Sequence, residues 1–85
     1  MRAAFLIFFT IVTMQAQSIE NLEFEGLVNI SPLTASEAIG IKEGDGYDVD
    51  KTNAAIKELY DYGYFEDIQV FYDGSTLRFE LSEKP

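Results

Sequence analysis

Cysteine and histidine are both missing from this chain of 85 residues. Their absence removes the Ser-His-Asp and Cys-His arrangements of nucleophilic catalysis and the usual ligands of a zinc site. Without cysteine there is also no disulfide, so stability has to come from packing or from neighbouring domains. Positive charge is scarce: six Lys and Arg stand against fifteen Asp and Glu, a formal net charge of −9. That balance repels nucleic-acid phosphates and offers no polybasic attraction to anionic lipid, although it favours solubility. Also missing is an apolar run of the roughly 20 residues that a membrane-spanning helix needs.

The apolar run that is there is short and terminal. Met1 and Arg2 precede "AAFLIFFTIVTM", and the small residue Ala16 precedes a polar break. Charge, short apolar core and small residue follow one another as in a secretory signal peptide. Residues 1–16 are therefore expected to be a cleaved signal and residues 17–85 one small domain. Removing Arg2 takes the net charge to −10. The last residues, "SEKP", follow directly on an apparent strand and look like a domain boundary inside a longer protein.

The remaining signals for chemistry are weak. "GIKEGDG" supplies Gly40, Gly44 and Gly46 but not the Gly-Lys-Ser/Thr ending of a phosphate-binding loop. Asp45, Asp48 and Asp50 miss the spacing of a calcium-binding EF-hand loop, and capping and turn formation account for them more simply. Most other acids alternate with apolar residues, as on a solvated face. The chain reads as a non-enzyme with no cofactor and no metal.

Periodicity gives the order of elements. In "NLEFEGL", Leu22 and Phe24 alternate with Glu23 and Glu25, the period of a half-buried strand that ends at Gly26. Ser31 is a good N-cap, Pro32 fits the first helical position and Gly40 a C-terminal stop, so a short helix lies between, with Leu33, Ala38 and Ile39 as its apolar stripe. Asp48 caps a longer helix whose stripe is Ala55, Ile56, Leu59 and Tyr60, and Lys57 and Asp61 stand one turn apart. Gly63 ends this helix, with positive φ expected. A hairpin follows: Ile68, Val70 and Tyr72 share one face, Leu77, Phe79 and Leu81 share a face of the return strand, and "DGS" supplies the turn. Phe71 falls on the opposite face, with Gln69. The pattern is α+β: two helices on one face of a three-stranded mixed sheet. In the joint "LYDYGYFEDIQV", Phe65 is expected to be buried, the tyrosines to pack, and Tyr62 to be the most exposed of them.

Three segments carry a family resemblance: "GIKEGDGYD" with Gly44 and Asp45, "LYDYGYFEDIQV" with Tyr60, Gly63, Tyr64 and Phe65, and the closing "EKP". In this order, over residues 18–85, the chain resembles a POTRA (polypeptide-transport-associated) domain, and most of all the first repeat of outer-membrane assembly factors of the BamA family. Leu27 departs from the asparagine more usual there and removes a turn-favouring amide.

The resemblance implies a β-α-α-β-β fold with the last strand central. It implies a periplasmic location within an outer-membrane protein, tandem repeats ahead of a C-terminal β-barrel, and a role in receiving unfolded outer-membrane proteins and docking accessory lipoproteins. Partners would be captured by β-augmentation, because an edge strand has unpaired backbone groups to which an extended peptide adds. The edge implied is Glu66, Asp67, Ile68, Gln69, Val70, Phe71 and Tyr72, with Asp67, Gln69 and Phe71 pointing outward. On that basis a proline at Gln69 would remove a donor used by the added strand. Relatives with other tasks, a two-partner secretion transporter or a cell-division protein, are the alternative.

Overall fold

A computed structural model describes residues 17–85. The expected signal peptide, residues 1–16, lies outside the described residues. The order of elements is β1 (Asn21–Glu25), α1 (Pro32–Ile39), α2 (Val49–Asp61), β2 (Phe65–Tyr72) and β3 (Thr76–Glu83).

Local chemistry sets each boundary. The Ser31 hydroxyl accepts from the Thr34 N–H at 3.1 Å, and Pro32 opens α1, where its missing N–H costs nothing. The Asp48 carboxylate accepts from the N–H groups of Asp50 and Lys51 at 2.8 and 3.2 Å, which starts α2. Gly63 has a φ of +78° just past the end of α2, a conformation that glycine adopts without the Cβ penalty. At the hairpin the Asp73 carboxylate accepts from the N–H groups of Ser75 and Thr76 at 2.9 and 2.7 Å. These bonds favour the ionised form, and they hold the Asp73 carboxyl below the usual carboxylate range.

The sheet order is β1-β3-β2: β1 runs parallel to β3 and β2 antiparallel to it. Leu77 and Phe79 on the central strand are fully buried, and Phe24 of β1 stacks on Phe79 with ring centroids 5.5 Å apart. Ala55 and Leu59 of α2 and Ile39 of α1 join them in one buried cluster, and Thr52 and Ala35 are buried on the same two helices. Burying a large aliphatic or aromatic side chain stabilises by about 1.5–3 kcal/mol, so this single cluster carries the fold.

Three expectations for the helices are corrected. Leu33 is 69% exposed, and Ala35 with Ile39, one turn apart, is what α1 buries. Tyr60 is 43% exposed and lies outside the buried stripe of α2. Lys57 and Asp61 do not pair; among the described residues the ion pair is Arg78–Glu80, at 3.5 Å on the open face of the sheet.

The segment before β1 is more embedded than its sequence suggested. Ile19 is 1% exposed, its N–H donates to the Asp45 carbonyl at 2.8 Å, and its carbonyl accepts from the Gly44 N–H at 2.7 Å. The loop "KEGDGY" therefore acts as a clasp on the start of the domain. Leu27 packs against the core as a partly buried side chain, so a hydrophobe at this position is put to use.

The outer edge of the sheet as candidate functional site

A three-stranded sheet has two edges, and here they differ. β1 is five residues long, and its Leu22 N–H donates to the Glu43 carboxylate at 3.2 Å. β2 is eight residues long and has β3 on one side only. A long edge with open backbone groups is where another strand can add.

Which of its groups point outward follows from the pairing. The turn closes with the Asp73 N–H donating to the Thr76 carbonyl at 3.3 Å, so Asp73 is bonded inward, toward β3. At the other end the Ile68 N–H donates to the Tyr60 hydroxyl at 3.1 Å, away from β3. In an antiparallel ladder, bonded and non-bonded residues alternate. Gln69 and Phe71, paired with Glu80 and Arg78, therefore bond toward β3, while Ile68, Val70 and Tyr72 turn their N–H and C=O groups to the outside. The expectation for a proline at Gln69 is corrected: the N–H lost there belongs to the fold, and the outward donors are at Val70 and Tyr72.

Tyr60 has a distinct place in this edge. It sits in the last turn of α2, and its phenol tip reaches the edge strand, as amphipathic side chains do. The register shifts between Phe65 and Asp67, so Glu66 is the extra residue of a bulge. Bulge and hydroxyl together close the first part of the edge. Tyr60 escaped the sequence reading because helical spacing grouped it with Leu59; an aromatic with a polar tip, eight residues before a strand position, was the signal.

Side chains sort as the alternation predicted. Asp67, Gln69 and Phe71 are exposed, while Ile68 is buried and Val70 and Tyr72 are half-buried. Phe71 is 45% exposed, with the Arg78 guanidinium 5.1 Å from its ring centroid, within range of a cation–π contact. No basic residue lies on β2, while Glu66, Asp67 and Asp73 are exposed, which makes the edge acidic.

The far end of the strand is pinned. Tyr72 stacks on Tyr47 with centroids 3.9 Å apart and donates its hydroxyl to the Ser18 carbonyl at 3.0 Å. Desolvation, then the charge of Asp73 and the neighbours Tyr47 and Glu20, push the Tyr72 phenol up from its ordinary value. Phe65 is buried as expected, but Tyr62 and Tyr64 are exposed, at 49% and 58%. The tyrosines of the joint thus do not pack inward, and Tyr64 is more exposed than Tyr62. With Ile30, Ala38, Leu59 and Phe65 these two line an apolar groove of about 190 Å³ beside the joint. Among the described residues, no cluster of acids is arranged to hold a metal ion, and no helix is long and apolar enough to cross a membrane.

The family model for POTRA, described as a surface antigen variable number repeat, matches residues 17–84. The chain belongs to the POTRA family. The chain is 33% identical over 84 residues to the outer membrane protein assembly factor BamA of Buchnera aphidicola, across 96% of this chain and 14% of that protein. It is 32% identical over 68 residues to the factor of the same name from Neisseria meningitidis, across 80% of this chain and 8% of that protein. The chain thus spans a small part of the length of the curated relatives it matches. Among solved structures, the N-terminal domain of Omp85 from the cyanobacterium Thermosynechococcus elongatus superposes with a TM-score of 0.74. That match covers 80% of this chain and 35% of that one, at 17% identity. It places the POTRA domain in the same fold, two helices on a three-stranded mixed sheet.

Proposed function

We propose that this POTRA domain is a non-catalytic periplasmic module of an outer-membrane β-barrel assembly factor. In this reading residues 1–16 are a cleaved signal peptide, and the domain stands in a longer chain, among further POTRA repeats and ahead of a membrane barrel. It receives unfolded outer-membrane proteins by β-augmentation on the edge of β2 and provides a surface for adjacent repeats and accessory lipoproteins. The two relatives named as outer membrane protein assembly factors support this reading over a two-partner secretion transporter or a cell-division protein.

The observation that carries the reading is the asymmetry of the two edges. β1 is five residues long and its Leu22 N–H is occupied by the Glu43 carboxylate, whereas β2 is eight residues long and, beyond the Ile68 N–H held by Tyr60, still turns the backbone groups of Val70 and Tyr72 outward. Main-chain pairing tolerates many side-chain sequences, which suits a receiver of varied strands, and alternate side chains add selectivity.

Photo-crosslinking tests it. A photoreactive residue at Gln69 or Phe71 in the full-length parent protein should capture newly exported outer-membrane proteins, and one at Glu23, on the same face but at the other edge of the sheet, should not. Equal capture at all three positions, or none, would overturn the edge as the receiving site. N-terminal sequencing of the exported chain, expected to begin at Gln17, tests the signal.

A further inference from the structure

We propose that the Tyr60 hydroxyl sets the register in which a strand adds to β2, by occupying the Ile68 N–H and leaving Val70 and Tyr72 as the donors open to a partner. The inference rests on the edge-addition reading and goes further, because it names where the new ladder starts and what holds it there.

The first support is the bond itself: the Ile68 N–H donates to the Tyr60 hydroxyl at 3.1 Å, in the direction an added strand would occupy. A donor already satisfied gains nothing from a partner unless the tyrosine leaves, and leaving forfeits a hydrogen bond. The second is the bulge at Glu66, which interrupts the register just ahead of Ile68. Natural edge strands are blunted by such devices, and here two of them act on the same end. The ladder is open only from Val70 to the turn, so the added segment is short and its position is fixed.

Charge selects the occupant. Glu66, Asp67 and Asp73 are exposed along β2, with no basic residue on the strand. The partner is an extended peptide with an apolar side chain beside Phe71 and basic or neutral side chains toward Asp73, the acid at the open end of the edge. Acidic segments meet like charge, which is destabilising when placed directly opposite.

The test is amide exchange followed by NMR on the protein and its Tyr60→Phe variant. The probe is a capped peptide of about six residues, the length of an ordinary strand, alternating valine and lysine, with a valine–glutamate peptide as comparison. Free Tyr60→Phe should show its Ile68 amide exchanging at least about tenfold faster, with the rest of the spectrum kept. The valine–lysine peptide should protect Val70 and Tyr72 in both proteins and Ile68 only in Tyr60→Phe. It should bind that variant about fivefold more tightly, the size of one added hydrogen bond. The valine–glutamate peptide should bind more weakly to both.

Unchanged Ile68 exchange in free Tyr60→Phe, or protection of Ile68 by peptide at equal affinity in both proteins, overturns the role of Tyr60 and leaves edge addition standing. Faster Ile68 exchange with no peptide protection at Val70 or Tyr72 overturns edge addition itself, and the proposal with it. Should Tyr60→Phe lose its fold, Val70→Pro serves in its place: its N–H points outward, so it should fold and lose the peptide, and retained binding overturns the register.

Discussion

The backbone of Gly26 lies against the carbonyl of Leu81, so close that a Cβ at Gly26 would collide with that oxygen. Gly26 also has a φ of +86°. Gly26 stands beside the central strand, one step past the Glu25–Glu80 pair, and only a residue without a side chain fits there. Two neighbouring N–H groups, of Val28 and Asn29, then bond to the Glu83 carboxylate of β3. The exit from the first strand is thus fixed by close approach and by a carboxylate clamp, with Leu27 packed inward between them.

Gly26→Ala should cost at least about 2 kcal/mol, because left-handed strain of about 1–2 kcal/mol adds to a clash with backbone that has no rotamer to escape into. Chemical denaturation of the variant would show it as a lower midpoint. An unchanged midpoint would mean that β3 is not rigid at Leu81.

Gly63 shares the positive φ, but nothing lies within reach of a Cβ there. Gly63→Val should therefore cost about 1–2 kcal/mol from backbone strain alone. Gly63→Asn should recover part of it, since asparagine tolerates this region. A melting series in which Gly63→Val loses as much as Gly26→Ala would contradict the difference in surroundings.

Asp73 predicts a pH dependence. Its folded carboxyl is held below the ordinary value, by the Thr76 and Ser75 N–H groups first. The unfolded chain therefore binds the proton more readily, and Asp73 stabilises the fold where it is ionised, above about pH 4. That contribution fades as pH falls from there toward the lower folded value. Asp73→Asn should reduce the loss of stability in this acid range, as read by denaturation between about pH 6 and 2. A variant with the same acid profile as the parent would show that the turn bonds do not depend on charge.

Much of this fold was legible because its boundaries are set by short-range chemistry. Ser31 with Pro32, Asp48 and the Asp73–Gly74 turn each act within three or four residues, and each stands where the sequence placed it. The face of each strand was legible for the same reason, since side chains alternate whatever the partner. The direction of each N–H was missed because it depends on pairing. Even so, the two-residue turn between Asp73 and Thr76 already contained that parity, and counting back from it makes Gln69 inward and Val70 outward. Leu33 misled because α1 is only eight residues long and buries through Ala35 and Ile39, with Ala38 partly buried beside them. Tyr60 misled because periodicity registers its ring and not its hydroxyl.

The most direct test of edge addition is a pair of proline substitutions in adjacent positions, read by peptide capture and by melting. Val70→Pro removes an outward donor and should abolish binding of an extended peptide while the domain stays folded, losing only part of the packing of the half-buried Val70 side chain, since proline is tolerated on the free side of an edge strand. Gln69→Pro removes a bond to Glu80 of β3 and should lower the melt markedly. A folded Val70→Pro domain that captures peptide as well as the parent would contradict strand addition at β2.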